Sequence, residues 1–375
     1  MLNRPDSALG PLGRLAMLAL SIAALVGPTA LAGQDRGSGQ QARPDDRRVN
    51  RVLGGVEMTA ADSVIQAVVD RLDFDSYKDI LRGLTEFGDR EQGTERNARA
   101  IDWIEAHLQG WGYETARIHY EFTPRGGTEA EPREEVYATK VGSEVPGEMY
   151  IIGAHMDGRG GGQAANDDGS GTALVMEIAR VLSGVRTARS IRFALWNNEE
   201  TGLNGARAYV EQRAPLQGIE EPAGSGRYPE PTWLGMIQHD MMLWDHGNPV
   251  TFNQALDADV DIEFQLASEK ADDSAALALK LLNANRMFAT DYPAAMSNAM
   301  SNTDSGPFQD LVAAVSLREN RRLYETGNLA NPHWHQPTDL FVTFSDADFR
   351  LGFNAAQTTL AALSRLVEAH VEGSR

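Results

Sequence analysis

At 375 residues, with 53 acidic against 34 basic side chains and a formal net charge of -19, the chain can bury a large core. It is too acidic to favour nucleic acid or an anionic membrane surface as a partner. It contains no cysteine, which excludes disulfides, thiolate metal ligands and an N-terminal lipoprotein anchor.

Residues 1–32 read as a secretory leader. Arg4 and Arg14 precede an apolar segment at 15–26, Gly27-Pro28 interrupt it, and Ala30-Leu31-Ala32 offers a small-residue cleavage site. The apolar core is short for a bilayer span and no later stretch is longer. The expectation is an exported protein, periplasmic or extracellular, cleaved near Ala32 and without an integral membrane segment. Residues 33–50 hold almost nothing to bury and read as a disordered linker, and residues 51–375 read as one domain.

Within that domain Ser76 and Asp79 form a capping-box pattern opening a helix that runs through Leu84. Ala98, Ile101, Ile104 and Leu108 repeat at helical spacing. Ile118, Tyr120 and Phe122 alternate as in a half-exposed strand, and 134–141 followed by 149–154 suggests a hairpin. Further on, helices are expected at 172–182, 202–212 and 273–288, and strands at 190–196, 233–238, 260–266 and 312–317. Ser345 with Asp348 is a second capping-box pattern. It opens a closing helix whose Phe349, Phe353, Ala356, Leu360, Leu363 and Val367 make one apolar stripe. Helices alternating with strands predict an α/β sandwich with a mixed, largely parallel sheet covered on both faces.

His155, Asp167, Glu199-Glu200, Asp240 and His335 each fall at or after an expected strand end, where open α/β sheets place their sites. Asp157, two residues after His155, can fix that imidazole's tautomer. Asp168, His239 and His333 are neighbouring alternatives. Nitrogen and oxygen donors suit zinc, or cobalt or manganese, and five ligating groups exceed what one closed tetrahedral zinc needs. Two ions about 3.5–4 Å apart, bridged by a carboxylate and a water, would use them all. The remaining glutamate is free to act as a base.

The motifs GAHMDG, AANDDGSGTA, IRFALWNNEETGLNGARAY, the Asp240 segment, NTDSGPF and HWHQPTD, in that order, resemble the M28 family of zinc aminopeptidases and related carboxypeptidases. The resemblance runs from about Tyr77 to the final helix. It implies a phosphorylase/hydrolase-like three-layer sandwich and two zinc ions, one held by His155 and Asp240, the other by Glu200 and His335, with Asp167 bridging. Glu199 is then the general base and acid working on a metal-bridging hydroxide, Asp157 supports His155, and Asp304 supports the site from behind. Two positions depart from the family. Asn298-Ala299-Met300-Ser301 lacks the tyrosine that some members carry before the position of Asp304, and Ser305 stands where histidine is frequent. The expected activity is removal of N-terminal residues from peptides. An M28-type carboxypeptidase, a glutaminyl cyclase-like acyltransferase and a non-catalytic binding domain are the alternatives. Oligomeric state is open.

Overall fold

The computed structural model describes residues 58–244, 260–319 and 331–371. The leader and linker read at 1–50, and the expected domain start at 51, lie outside these residues.

Thr59 caps the first described helix, α1 (Ala60–Val69), exchanging hydrogen bonds with Asp62. Asp73, not Ser76, caps α2 (Phe74–Thr85): its carboxylate accepts from the Ser76 N–H at 2.7 Å. The Ser76 hydroxyl is engaged elsewhere, donating to Glu177 at 2.8 Å, so the cap falls three residues earlier than the sequence suggests. Thr94 then opens α3 (Glu95–Gly110).

An eight-stranded sheet follows. Its strands in chain order are β1 (Glu114–Phe122), β2 (Glu131–Lys140), β3 (Val145–His155), β5 (Arg189–Trp196), β6 (Thr232–His239), β7 (Val260–Glu263), β8 (Ala294–Ser297) and β9 (Ala314–Arg318). In space they lie in the order β1-β2-β5-β3-β6-β9-β7-β8, with β5, β3, β6 and β9 mutually parallel. Two short strands, β4 (Arg186–Thr187) and β10 (Ala369–His370), pair separately. The hairpin expected between β2 and β3 does not form: β2 pairs with β1 and β5, and β3 lies between β5 and β6. The reason is burial on both faces. Residues 151–156 are all buried, and such a run belongs in the middle of a parallel sheet rather than in a two-stranded ribbon.

Alternation across the pleat divides the side chains between two cores. Ile152, Ala154, Phe193, Leu195 and Ile237 pack with α1–α3, with α4 (Gly171–Ser183), with α6 (Ala271–Phe288) and with α7 (Asp346–Leu366). Met149, Ile151, Ala194, Trp196, Trp233 and Met236 face the other way, against α5 (Asn204–Arg213) and Phe308. The result is the three-layer α/β sandwich expected from the alternation of elements.

A buried ionic cluster ties the second core together. Glu230, fully buried, accepts from Arg192 at 3.1 Å, Tyr209 at 2.8 Å and Arg213 at 3.0 Å, and from the Trp233 indole. Replacing Glu230 by Ala strands the buried Arg192 charge. Urea unfolding is therefore expected to show a loss of about 3–5 kcal/mol. A loss under 1 kcal/mol would mean that solvent reaches Arg192 and compensates it.

Candidate metal centre

The parallel strands deliver their last residues to one edge. His155 closes β3, Asn197–Glu200 follow β5, Asp240 follows β6, and Arg318 closes β9. Register holds them level, with His155 opposite Trp196 and His239 opposite Leu317. The strand order reverses at β3, the switch point at which such sheets bind ligands. Asp167 arrives on the turn 165–170 ahead of α4, and His335 on the turns that follow residue 331. Left-handed backbone at Asn198 (φ +64°), Met241 (+62°) and His335 (+54°) aims these segments. Such conformations in non-glycine residues cost about 1–3 kcal/mol each and persist where the surroundings impose them.

Asp167 sits between the two imidazoles. One of its oxygens is 3.2 Å from His155 Nε2 and the other 3.0 Å from His335 Nε2. Asp240 Oδ1 lies 3.8 Å from His155 Nε2, and Glu200 Oε2 2.9 Å from His335 Nε2. Two groups of potential ligands result, His155–Glu199–Asp240 and Asp167–Glu200–His335, each with its donor atoms within 4.8 Å of one another. Glu199 thus falls within the first group. The Asp157 carboxylate accepts from the Glu199 N–H at 3.1 Å, and it is the Asp157 backbone carbonyl, 2.9 Å away, that receives His155 Nδ1. Asp157 therefore orients both His155 and Glu199. Asp304 is fully buried, accepts from Gln238 at 3.3 Å, and has a second oxygen with no hydrogen-bond partner.

The neighbouring alternatives have other occupations. Asp168 accepts from three backbone amides, those of His155, Gly171 and Met241, at 2.9–3.1 Å, so it ties three ligand-bearing segments together. The Asp167–Asp168 peptide bond is cis. His239 is fully buried between the Gly153 carbonyl and the Thr359 hydroxyl, and burial pushes its imidazole down to about 4. His333 Nδ1 faces the Thr338 hydroxyl at 2.9 Å.

Several residues support the site in roles that the sequence does not announce. Arg90 lies in a polar loop yet is fully buried, donating to the carbonyls of Met156, Gln163 and Ala164 and so clamping both ends of the glycine run. Asp339 accepts from the Asn166 and Asp167 amides at 2.8 and 3.1 Å and fixes the backbone of Asp167. Arg318 donates to Asp240 at 2.5 Å. Gly160, at φ +99°, lets the glycine run pass so close to the His335 backbone that a Cβ there would meet its carbonyl carbon at 2.6 Å.

The electrostatics fit a cationic guest. Burial, helped by the Asp167 charge, pushes Glu200 up to about 7. Burial likewise raises Glu199 and Asp304 well above the usual carboxylate range, against the pull of His155. Burial opposes charge on His335, yet its hydrogen bonds to Asp167 and Glu200 prevail and hold it at about 9. Burial also works against charge on Asp167, and the two imidazoles outweigh it, leaving the carboxyl below the ordinary range. Glu200 Oε1 is buried with no hydrogen-bond partner. A cluster so rich in desolvated carboxylates, with an orphaned oxygen and only nitrogen and oxygen donors, suits divalent metal.

Imidazoles and carboxylates gathered at the carboxyl edge of a parallel sheet define the class: an α/β sandwich with a site fit for metal. The profile of peptidase family M28 matches residues 135–356, more than half of the chain, and the chain belongs to that family. It is 31% identical over 173 residues to a probable zinc metalloprotease of Leptosphaeria maculans, a match that covers 40% of each chain. An aminopeptidase from Aneurinibacillus sp. strain AM-1 has the same fold, with a TM-score of 0.60 and 16% identity over 80% of this chain and 95% of that one. So does a glutaminyl cyclase of Porphyromonas gingivalis, with a TM-score of 0.59 and 17% identity over 79% of this chain and 99% of that one. The fold alone is therefore common to a peptidase and a cyclase.

Proposed function

We propose that the chain is an exported two-zinc exopeptidase that removes N-terminal residues from peptides. The observation that supports this most is Asp167, one oxygen toward each of His155 and His335, with a separate carboxylate beside each imidazole. In this reading His155 and Asp240 would hold one ion and Glu200 and His335 the other, with Asp167 available to both; cobalt or manganese would be substitutes for zinc. Bound there, the ions supply an acidified water and an electrophile for the scissile carbonyl. Glu199 takes a proton from the attacking water onto its carboxylate and returns it to the leaving amine nitrogen. Asp157 holds Glu199 in place through its amide, and Arg318 holds Asp240. The carboxylate-rich surround favours the substrate end that brings positive charge, a free α-amine.

The cyclase reading shares the fold, but two complete ligand groups favour two ions over the single one it would need. A non-catalytic domain has no need of a buried Glu199 among the ligand candidates at the sheet edge. For a carboxypeptidase a cationic receptor is required. Arg318 is committed to Asp240, Arg207 donates to the Gly202 carbonyl and Arg321 lies outside the described residues, which leaves Arg159 at the rim of the site as the candidate receptor; what supports aminopeptidase action is the carboxylate-rich surround, which favours a free α-amine. Export rests on the leader pattern alone; no helix among the described residues is long and apolar enough to cross a membrane.

Hydrolysis of one peptide with its N-terminus free and acetylated tests the specificity. The free peptide is expected to be cut and the acetylated one spared. Equal cutting of both would contradict aminopeptidase action.

A further inference from the structure

Arg159 sits inside the glycine run at the rim of the site, its side chain 48% exposed. Its Nη2 is 2.9 Å from His335 Nδ1, its Nε 3.5 Å from Glu200 Oε2, and its Nη1 3.4 Å from the Glu200 carbonyl. The contact with His335 conflicts with the role proposed for that residue. An imidazole giving Nε2 to a metal keeps its proton on Nδ1 and donates there, whereas a guanidinium can only donate. Arg159 and His335 therefore cannot stay partnered in the loaded site, and the guanidinium gives up that contact beside the reacting centre, keeping only its longer ones to Glu200. Among the described residues, two other arginines around the site stay committed, Arg90 to backbone carbonyls and Arg318 to Asp240. Gly158, Gly160, Gly161 and Gly162 surround Arg159 in sequence and give its backbone latitude to follow a ligand.

We propose that Arg159 receives the α-carboxylate of the residue just past the scissile bond, which makes dipeptides with a free C-terminus the preferred substrates. The proposal rests on the exopeptidase reading and adds the substrate class to it. Planar, two-pronged donation to a carboxylate is what a guanidinium does best. The reach follows from contact. Arg159 touches His335 and Glu200, both proposed to hold one ion, and a residue advances the chain by about 3.8 Å, so the carboxylate within range is one residue beyond the reacting carbonyl.

The test is binding, measured by calorimetry on the zinc-loaded Glu199→Gln protein, with leucyl-alanine and its C-terminal amide as probes. The free acid is expected to bind about tenfold or more tightly than the amide, as a charge-assisted hydrogen bond allows. Adding Arg159→Gln is expected to bring the acid-to-amide ratio near one, and Arg159→Lys to restore part of it. Zinc content and melting temperature, measured on each variant, establish that the ratio reports the side chain and not loss of metal or fold. A ratio unchanged by Arg159→Gln, or no preference in the parent, overturns the proposal. Failure of the exopeptidase reading looks different: the wild-type chain cuts neither peptide and the Glu199→Gln protein binds neither, which removes the proposal with it.

Discussion

Replacing Glu199 by Gln is expected to leave a folded, zinc-binding protein whose kcat falls by about 10²- to 10⁴-fold, the range in which a general base contributes. Glutamine preserves the shape of a side chain that is only 8% exposed, and the Glu199 amide keeps its bond to Asp157. What is lost is the ability to take and return a proton. Burial, with Asp304, Asp240 and Glu200 nearby, raises this carboxyl above the usual range, against the pull of His155. KM is expected to change little, since the role falls in the transition state and not in substrate binding. Near-normal kcat in this variant would move the base elsewhere, with Glu200 the first residue to test.

Asp167→Ala is expected to have the other large effect: zinc falling below one ion per chain and activity below detection. The geometry sets this carboxylate apart from the other proposed ligands, because it alone faces both imidazoles, at 3.2 and 3.0 Å. In the proposed assignment, removing His335 or Asp240 takes a donor from one ion, whereas removing Asp167 takes a donor from each. The backbone itself should stay in place, since Asp339 holds the amides of Asn166 and Asp167 through its own carboxylate. Metal analysis with activity on the same sample checks the prediction. Two ions per chain with most of the activity intact would show that another group spans the site.

The residues that gather at this site are legible in the sequence for a physical reason. Apolar runs such as 149–154 and 190–196 announce buried strands, and a chain that leaves such a strand with His155 or Glu199-Glu200 places polar donors at the sheet edge. The motif order then links donors that are far apart along the chain. Pairing is less legible: periodicity marks β2 and β3 as strands but carries no register, and β5, from later in the chain, comes between them. Local competition hides the cap of α2, where Asp73 takes the role because Ser76 is drawn to Glu177. The supporting residues are the least visible. Arg90 reads as one charge in a solvated loop, and only the folded chain brings the distant carbonyls of Met156, Gln163 and Ala164 onto its guanidinium. Asp168 and Asp339 likewise act on amides from other segments, a role that no spacing encodes.

The most direct measurement is a titration of zinc into the dialysed, chelator-treated protein, with calorimetry and peptide hydrolysis followed in parallel. Two bound equivalents per chain are predicted, with full hydrolysis reached only at the second. Full activity at one equivalent, or a second equivalent that binds nowhere, would contradict the two-ion site on which the account depends.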